Sequence, residues 1–115
     1  MPTLLDAALV GDALTRLTGW RGDTRGISRT LSLTDSQYGD FLERVKVTSD
    51  AMNHHADIAR TGDEVVISLV THSAGGVTEY DIALASRIND LARIARGEAQ
   101  SALPPEAYGR ATDAG

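Results

Sequence analysis

All three histidines of this 115-residue chain lie in one stretch, DAMNHHADIARTGDEVVISLVTH, from Asp50 to His72. His54 and His55 are adjacent, and His72 closes the most apolar run. Imidazole titrates near neutral pH, so two rings in one pocket can serve as acid and base within a single reaction. Asp50 stands four residues before His54, a spacing that puts both on one helical face and lets the carboxylate orient the ring. A solvated helix pair is the plain alternative. On a helix His55 points about 100° away from His54, so any working site needs a third group from elsewhere. His72 becomes that group if the chain turns back on itself. With 57–61 and 65–72 as the arms of a hairpin, it returns level with His55 or Ala56.

Three converging imidazoles admit three readings: a zinc site, an acid/base site or a chance cluster. Zinc requires its nitrogens within about 2.1 Å of one point, and neither H-x-x-x-H nor H-x-H spacing occurs here. Acid/base chemistry asks less of the geometry. Asp81 has two readings as well. Thr78-Glu79-Tyr80-Asp81 has capping-box spacing, which alone would account for the carboxylate. Alternatively, Asp81 faces the imidazoles and holds a ring's charge or a ligand's donor groups. No nucleophile elbow, phosphate-cradling loop or dinucleotide fingerprint is present.

The elements that would position these groups can be read from periodicity. Leu4, Leu5, Ala8, Leu9, Ala13, Leu14 and Leu17 recur at helical spacing until Thr18-Gly19. Ile27 to Thr34 alternates as a half-buried strand, pairing with a short one near Trp20. Thr34-Asp35-Ser36-Gln37 opens a second helix, carried by Tyr38, Phe41, Leu42, Val45, Ser49 and Met52 into the histidine pair. A hairpin turning at Gly62-Asp63 follows, and then a third helix with a stripe of Leu84, Ile88, Leu91 and Ala95. The order α-β-β-α-β-β-α predicts an α+β domain: a four-stranded antiparallel sheet with helices packed on one face. Residues 1–96 form the expected domain. Residues 97–115, with two prolines and no period, are expected to be a disordered tail.

Composition narrows the function. A net charge of −5 argues against nucleic acid or an anionic membrane surface as the direct partner. The absence of cysteine removes disulfides, thiolate ligands and cysteine nucleophiles. The N-terminal stretch lacks a signal-peptide pattern and no run is long enough to span a membrane, so a cytoplasmic location is expected.

NHHAD at 53–57 and VVISLVTHSAGGVTEYDIALASRIND at 65–90 carry a family resemblance. The chain resembles the pterin-4a-carbinolamine dehydratases, or 4a-hydroxytetrahydrobiopterin dehydratases. Their pattern joins an acidic residue, three positions, His-His, a strand ending in Thr-His, a glycine-containing loop and an acidic residue opening a helix. Asp50, His54, His55, Thr71, His72, Gly76 and Asp81 to Ala85 match it, and the likeness covers roughly residues 4–95. The resemblance implies loss of water from a 4a-hydroxytetrahydropterin to give the quinonoid dihydropterin, in tetrahydrobiopterin recycling, without metal or cofactor. It assigns His54 and His72 as the acid/base pair and His55 chiefly to substrate binding. Asp50 would orient an imidazole and Asp81 would be the charge partner, while Asn53, Thr71 and Ser73 would line the pterin.

Ala56 and Ile58 stand where the family usually has proline and an aromatic residue. Gly62 replaces a further aromatic, and Tyr80 takes a position that is often basic. The resemblance also implies a homodimer or homotetramer. It admits an alternative function on the same fold, a non-catalytic module that stabilises a transcription-factor dimer or assists Rubisco assembly. Non-catalytic relatives tend to lose the histidines, and all three are kept here.

Overall fold

The computed structural model describes residues 2–98. Eight elements follow one another: α1 (Ala7–Arg16), β1 (Trp20–Asp23), β2 (Gly26–Ser32), α2 (Asp35–Met52), β3 (Asp57–Thr61), β4 (Glu64–Leu69), a 3₁₀ turn (His72–Ala74) and α3 (Glu79–Ala95). The four strands form one sheet in the order β1-β2-β4-β3, with every neighbouring pair antiparallel. This is the α+β arrangement expected from the sequence. The tail expected beyond residue 96 falls almost wholly outside the described residues.

The core follows from the strand period. Ile27 and Leu31 of β2 and Val65, Ile67 and Leu69 of β4 are buried, and the register places Ile27 against Leu69 and Leu31 against Val65. These side chains share one face of the sheet, where they join Phe41 and Val45 of α2 and Leu84, Ala85 and Ile88 of α3 in one cluster. Alternate residues of β4, Val66 and Ser68, face the other side and are only half-buried. Phe41 is fully buried. Arg29 shares the core-facing side with Ile27 and Leu31, and Asn89 accepts its Nη1–H at 2.5 Å and the Trp20 Nε1–H at 2.7 Å.

Three of the element boundaries that differ from the sequence expectation do so for a clear local reason. Asp6 caps α1 by accepting from the Leu9 N–H at 2.9 Å, and a cap needs extended backbone. Leu4 and Leu5 are therefore excluded from the helix. Leu4 forms a bridge to Thr78, and the Leu5 N–H donates to the Val77 carbonyl. α2, in turn, stops at Met52 because Asn53 takes a left-handed conformation, φ 53°. Asparagine tolerates that region better than most residues. β4 ends at Leu69, short of the expected His72, and Thr71 instead pairs with Gly76 around the 3₁₀ turn.

Candidate acid/base site

The early end of α2 decides which partners the histidine pair finds. With Asn53 turned left-handed, His54 leaves the helix, and its ring meets α3 instead of the preceding turn. Asp50 consequently does not pair with His54, as the four-residue spacing suggests. Its carboxylate lies 3.0 Å from His55 Nε2, and both side chains are largely exposed. His54 Nε2 lies 2.6 Å from Asp81 Oδ1. The His54 side chain is 11% exposed and that of Asp81 0%, so this is the sheltered pair.

Asp81 sits at the first turn of α3, where its second oxygen does the capping work. Asp81 Oδ2 accepts from the Thr78 backbone N–H at 2.9 Å and from the Thr71 hydroxyl at 2.8 Å. Thr78 Oγ1 in turn accepts from the Tyr80 N–H at 3.2 Å and lies 2.7 Å from Thr71 Oγ1. The directions of these bonds follow from the carboxylate, which as an anion can only accept. Thr71 has one hydroxyl proton and gives it to Asp81, so the Thr78 hydroxyl donates to Thr71. The remaining oxygen, Oδ1, takes the Nε2–H of His54. That fixes the ring as the Nε2–H tautomer when neutral and leaves Nδ1 as the nitrogen free to exchange a proton. Both readings of Asp81 hold together: one oxygen caps the helix and the other grips the imidazole.

Three side chains in this network are nearly inaccessible, with Thr71 5% exposed and Thr78 and Asp81 0%. Burial strengthens hydrogen bonds that are all made and makes any unmade one costly. Tyr80 adds an edge-on contact to the His54 ring, at 5.9 Å between centroids. The loop that supplies Thr71 is pinned by Gly76, where a Cβ would meet the Thr24 carbonyl oxygen at 2.5 Å. Only glycine fits that approach of backbone to backbone.

His72 follows Thr71 directly and is exposed on the 3₁₀ turn. Thr71 thus ties the strand end that carries His72 to the carboxylate that holds His54. The His72 ring forms no hydrogen bond with either of the other histidines among the described residues, and the side chains of Asn53 and Ser73 are exposed. Thr78 is the member of the network that the spacing of the sequence suggested only as a cap. The signal for more was its position at one end of the box that contains Asp81. Among the described residues no group of three or more histidine, aspartate or glutamate side chains is disposed to hold a metal ion. No helix of the described residues is long and apolar enough to cross a membrane.

Comparison with known proteins bears on this geometry at three levels. The sequence description of the family "Pterin 4 alpha carbinolamine dehydratase" matches residues 3–91. A protein of Sulfurisphaera tokodaii is 34% identical over 83 residues, covering 71% of this chain and 89% of its own length. One from Herpetosiphon aurantiacus is 36% identical over 92 residues, covering 79% and 95%. Both carry the name pterin-4-alpha-carbinolamine dehydratase provisionally. A crystal structure of a transcriptional coactivator/pterin dehydratase from Brucella melitensis superposes with a TM-score of 0.74 at 28% identity, covering 78% of this chain and 99% of that one. A pterin dehydratase-like RuBisCO assembly factor of the alpha-carboxysome shares the fold, with a TM-score of 0.51 at 23% identity over 64% of this chain and 86% of its own. The matched span contains every element from α1 to the 3₁₀ turn and most of α3, and with it the His54–Asp81–Thr71 network: this chain belongs to the pterin 4 alpha carbinolamine dehydratase family.

Proposed function

We propose that the protein removes water from a 4a-hydroxytetrahydropterin to give the quinonoid dihydropterin, by histidine acid/base catalysis that calls on no metal. The chemistry needs one proton delivered to the departing C4a hydroxyl, which leaves as water, and one proton taken from a ring nitrogen as the new double bond forms. Atoms balance with the loss of one water, and no electrons are exchanged. Two groups that titrate near neutrality are sufficient.

The observation that carries this reading is the 2.6 Å contact between His54 and the fully buried Asp81. A carboxylate already committed to the Thr78 N–H and the Thr71 hydroxyl is a fixed acceptor, so the imidazole it holds is oriented before substrate arrives. Pre-set orientation of this kind lowers the reorganisation that a proton transfer would otherwise require. His54 then exchanges its proton at Nδ1, and His72, on the adjoining turn, serves as the second acid/base group. His55, held at the exposed rim by Asp50, binds the pterin ring.

The test is the rate at which purified, metal-stripped protein accelerates dehydration of a 4a-hydroxytetrahydropterin over the spontaneous reaction. A folded His54→Ala/His72→Ala variant is the control. Acceleration that the variant lacks supports the dehydratase. Absence of acceleration from the folded wild type would overturn it and favour a binding or assembly role on the same fold.

A further inference from the structure

Beside the histidine pair, between α2 and β3, lies a groove of about 310 Å³. Leu42, Val45, Ala56 and Ile58 give it apolar walls, His55 lines it as well, and Lys46 and Ser49 supply its other polar atoms. Two features set it apart from a gap in the packing. Ser49 is 2% exposed, yet its Oγ has no hydrogen-bond partner among the described residues. A buried hydroxyl left unpaired is a standing cost that alanine would avoid at the same position. Nor does the hydroxyl bond back to the carbonyl of the preceding helical turn, which is the usual resort of a serine in a helix.

Lys46 is the second feature. It is the only lysine in the sequence, and every other cationic side chain is arginine or histidine. Arg16, Arg44, Arg60 and Arg93 each pair with a carboxylate, while Arg21 and Arg87, which make no ion pair among the described residues, do not line the groove. Lys46 makes no ion pair among the described residues, although Glu43 and Asp50 lie within about one turn of it on α2. Asp50 is turned to His55. A groove with an apolar body, one unpaired hydroxyl and one unpaired cation is complementary to a ligand with a short apolar stem, a hydrogen-bonding atom and an anionic end.

The chemistry of the proposed substrate says which part of it would reach this groove. C4a, N5 and C6 are consecutive atoms of the reduced ring, so a ring that offers its C4a hydroxyl and N5 edge to the histidines carries its C6 substituent out beside them. We infer that the groove between α2 and β3 receives that substituent, and that the substrate is a reduced pterin whose C6 chain ends in a carboxylate. The stem packs on Leu42, Val45 and Ile58, the Ser49 hydroxyl donates to an oxygen of the chain, and Lys46 pairs with the carboxylate. On a chain of net charge −5, an anionic substrate would otherwise meet net repulsion. This inference rests on the dehydratase reading above and goes on to specify its substrate class.

The experiment compares two 4a-hydroxytetrahydropterins generated in the assay by oxidation of the tetrahydropterin, one bearing 6-methyl and one 6-(3-carboxypropyl). Wild type, Lys46→Gln and Ser49→Ala are measured with each. Wild type should favour the carboxypropyl substrate by at least about tenfold in kcat/KM, the preference residing in KM and shrinking as salt is raised. Lys46→Gln should bring the ratio between the two substrates towards one. Ser49→Ala should reduce it by roughly threefold while melting no lower than wild type, since it removes an unpaired hydroxyl. A wild type that treats the two substrates alike, or a Lys46→Gln variant that raises both KM values equally, overturns the inference and leaves the dehydratase reading standing. If neither substrate is dehydrated faster than in buffer, that reading fails instead. Equilibrium dialysis of unreactive 6-(3-carboxypropyl)-pterin then decides the groove on its own: binding that Lys46→Gln weakens supports it, and equal or absent binding overturns it.

Discussion

Replacing Asp81 by asparagine changes one atom of the buried network and tests the reasoning at its centre. Three donors point at the carboxylate: the Thr78 N–H and the Thr71 hydroxyl at Oδ2, and the His54 Nε2–H at Oδ1. The Thr78 N–H is backbone and cannot reverse, so the substituted amide must keep its carbonyl oxygen on that side. Its NH₂ group then faces His54 Nε2 across what is now 2.6 Å, donor against donor. His54 can relieve the clash only by moving its proton to Nδ1 and accepting at Nε2. Counting the His54 bond alone, a charged hydrogen bond worth about 1.5–3 kcal/mol becomes a neutral one worth about 0.5–1.5 kcal/mol, and the Thr71 and Thr78 bonds lose their charged acceptor too, so the fold should lose at least about 1–2 kcal/mol. On the proposed mechanism Nδ1 is the nitrogen that exchanges the proton, and in the variant it is already protonated in the neutral ring; a forced change of tautomer in a comparable carboxylate–imidazole pair costs about 10⁴-fold in kcat. A fall of about 10²–10⁴-fold in the dehydration rate is expected, with a modest drop in Tm. Imidazole ¹⁵N shifts should report Nδ1–H in the variant and Nε2–H in the neutral wild-type ring. A folded Asp81→Asn protein that keeps the Nε2–H tautomer, or turns over within about threefold of wild type, refutes the orientation argument.

Three further variants probe the supports of the site. His72→Ala removes an exposed ring and should leave the melting curve in place while cutting turnover at least about tenfold; full activity in the folded variant would remove His72 from the reaction. Gly76→Ala would drive a Cβ to 2.5 Å from the Thr24 carbonyl, displacing the Thr71–Gly76 bridge and with it the Thr71 hydroxyl. A loss of about 1–3 kcal/mol in a urea titration is expected, together with reduced turnover, and an unperturbed protein would show that this approach does not hold the loop. Asn89→Ala strips the shared acceptor from the Trp20 and Arg29 N–H groups and should cost about 1–3 kcal/mol. Because it lies away from the histidines, its turnover per folded molecule should match wild type.

How much of this was legible from the sequence depends on how local each decision is. The strands and helices follow periods of two and 3.6 that hold over about six residues or more, which is why Ile27 and Leu31 can be placed on a core face from the sequence alone, whereas the run from Val65 is apolar on both faces and the structure decides that Val65 and Ile67 point to the core. The two capping boxes, at Thr34–Gln37 and Thr78–Asp81, are equally local, and both form. The histidine pairings are another matter, because they turn on one residue. Continue α2 two residues further and Asp50 meets His54 across a helical turn. End it at Asn53 in the left-handed region and the same Asp50 meets His55, freeing His54 for a carboxylate 27 residues away. Helix ends are where sequence patterns carry least information, since several residues can serve as the last one.

The role of Thr71 was hidden for a related reason. In the expected strand 65–72, a threonine next to the end would alternate in and out with its neighbours and show one face to the pterin. β4 stops at Leu69, and the residues after it fold round to Gly76, which turns the Thr71 hydroxyl inward to Asp81. A single glycine, tight against the Thr24 carbonyl, therefore decides whether this threonine lines a ligand or braces a carboxylate. The consequence for mechanism is that the charged partner of His54 is fixed from two directions, by the backbone N–H of Thr78 at the start of α3 and by the side-chain hydroxyl of Thr71 just beyond β4. Neither segment can shift alone without leaving a buried donor or acceptor unpaired. The rigidity of the imidazole is thus a property of how the sheet meets the helix, and the Asp81→Asn and Gly76→Ala variants act on the same quantity from opposite sides.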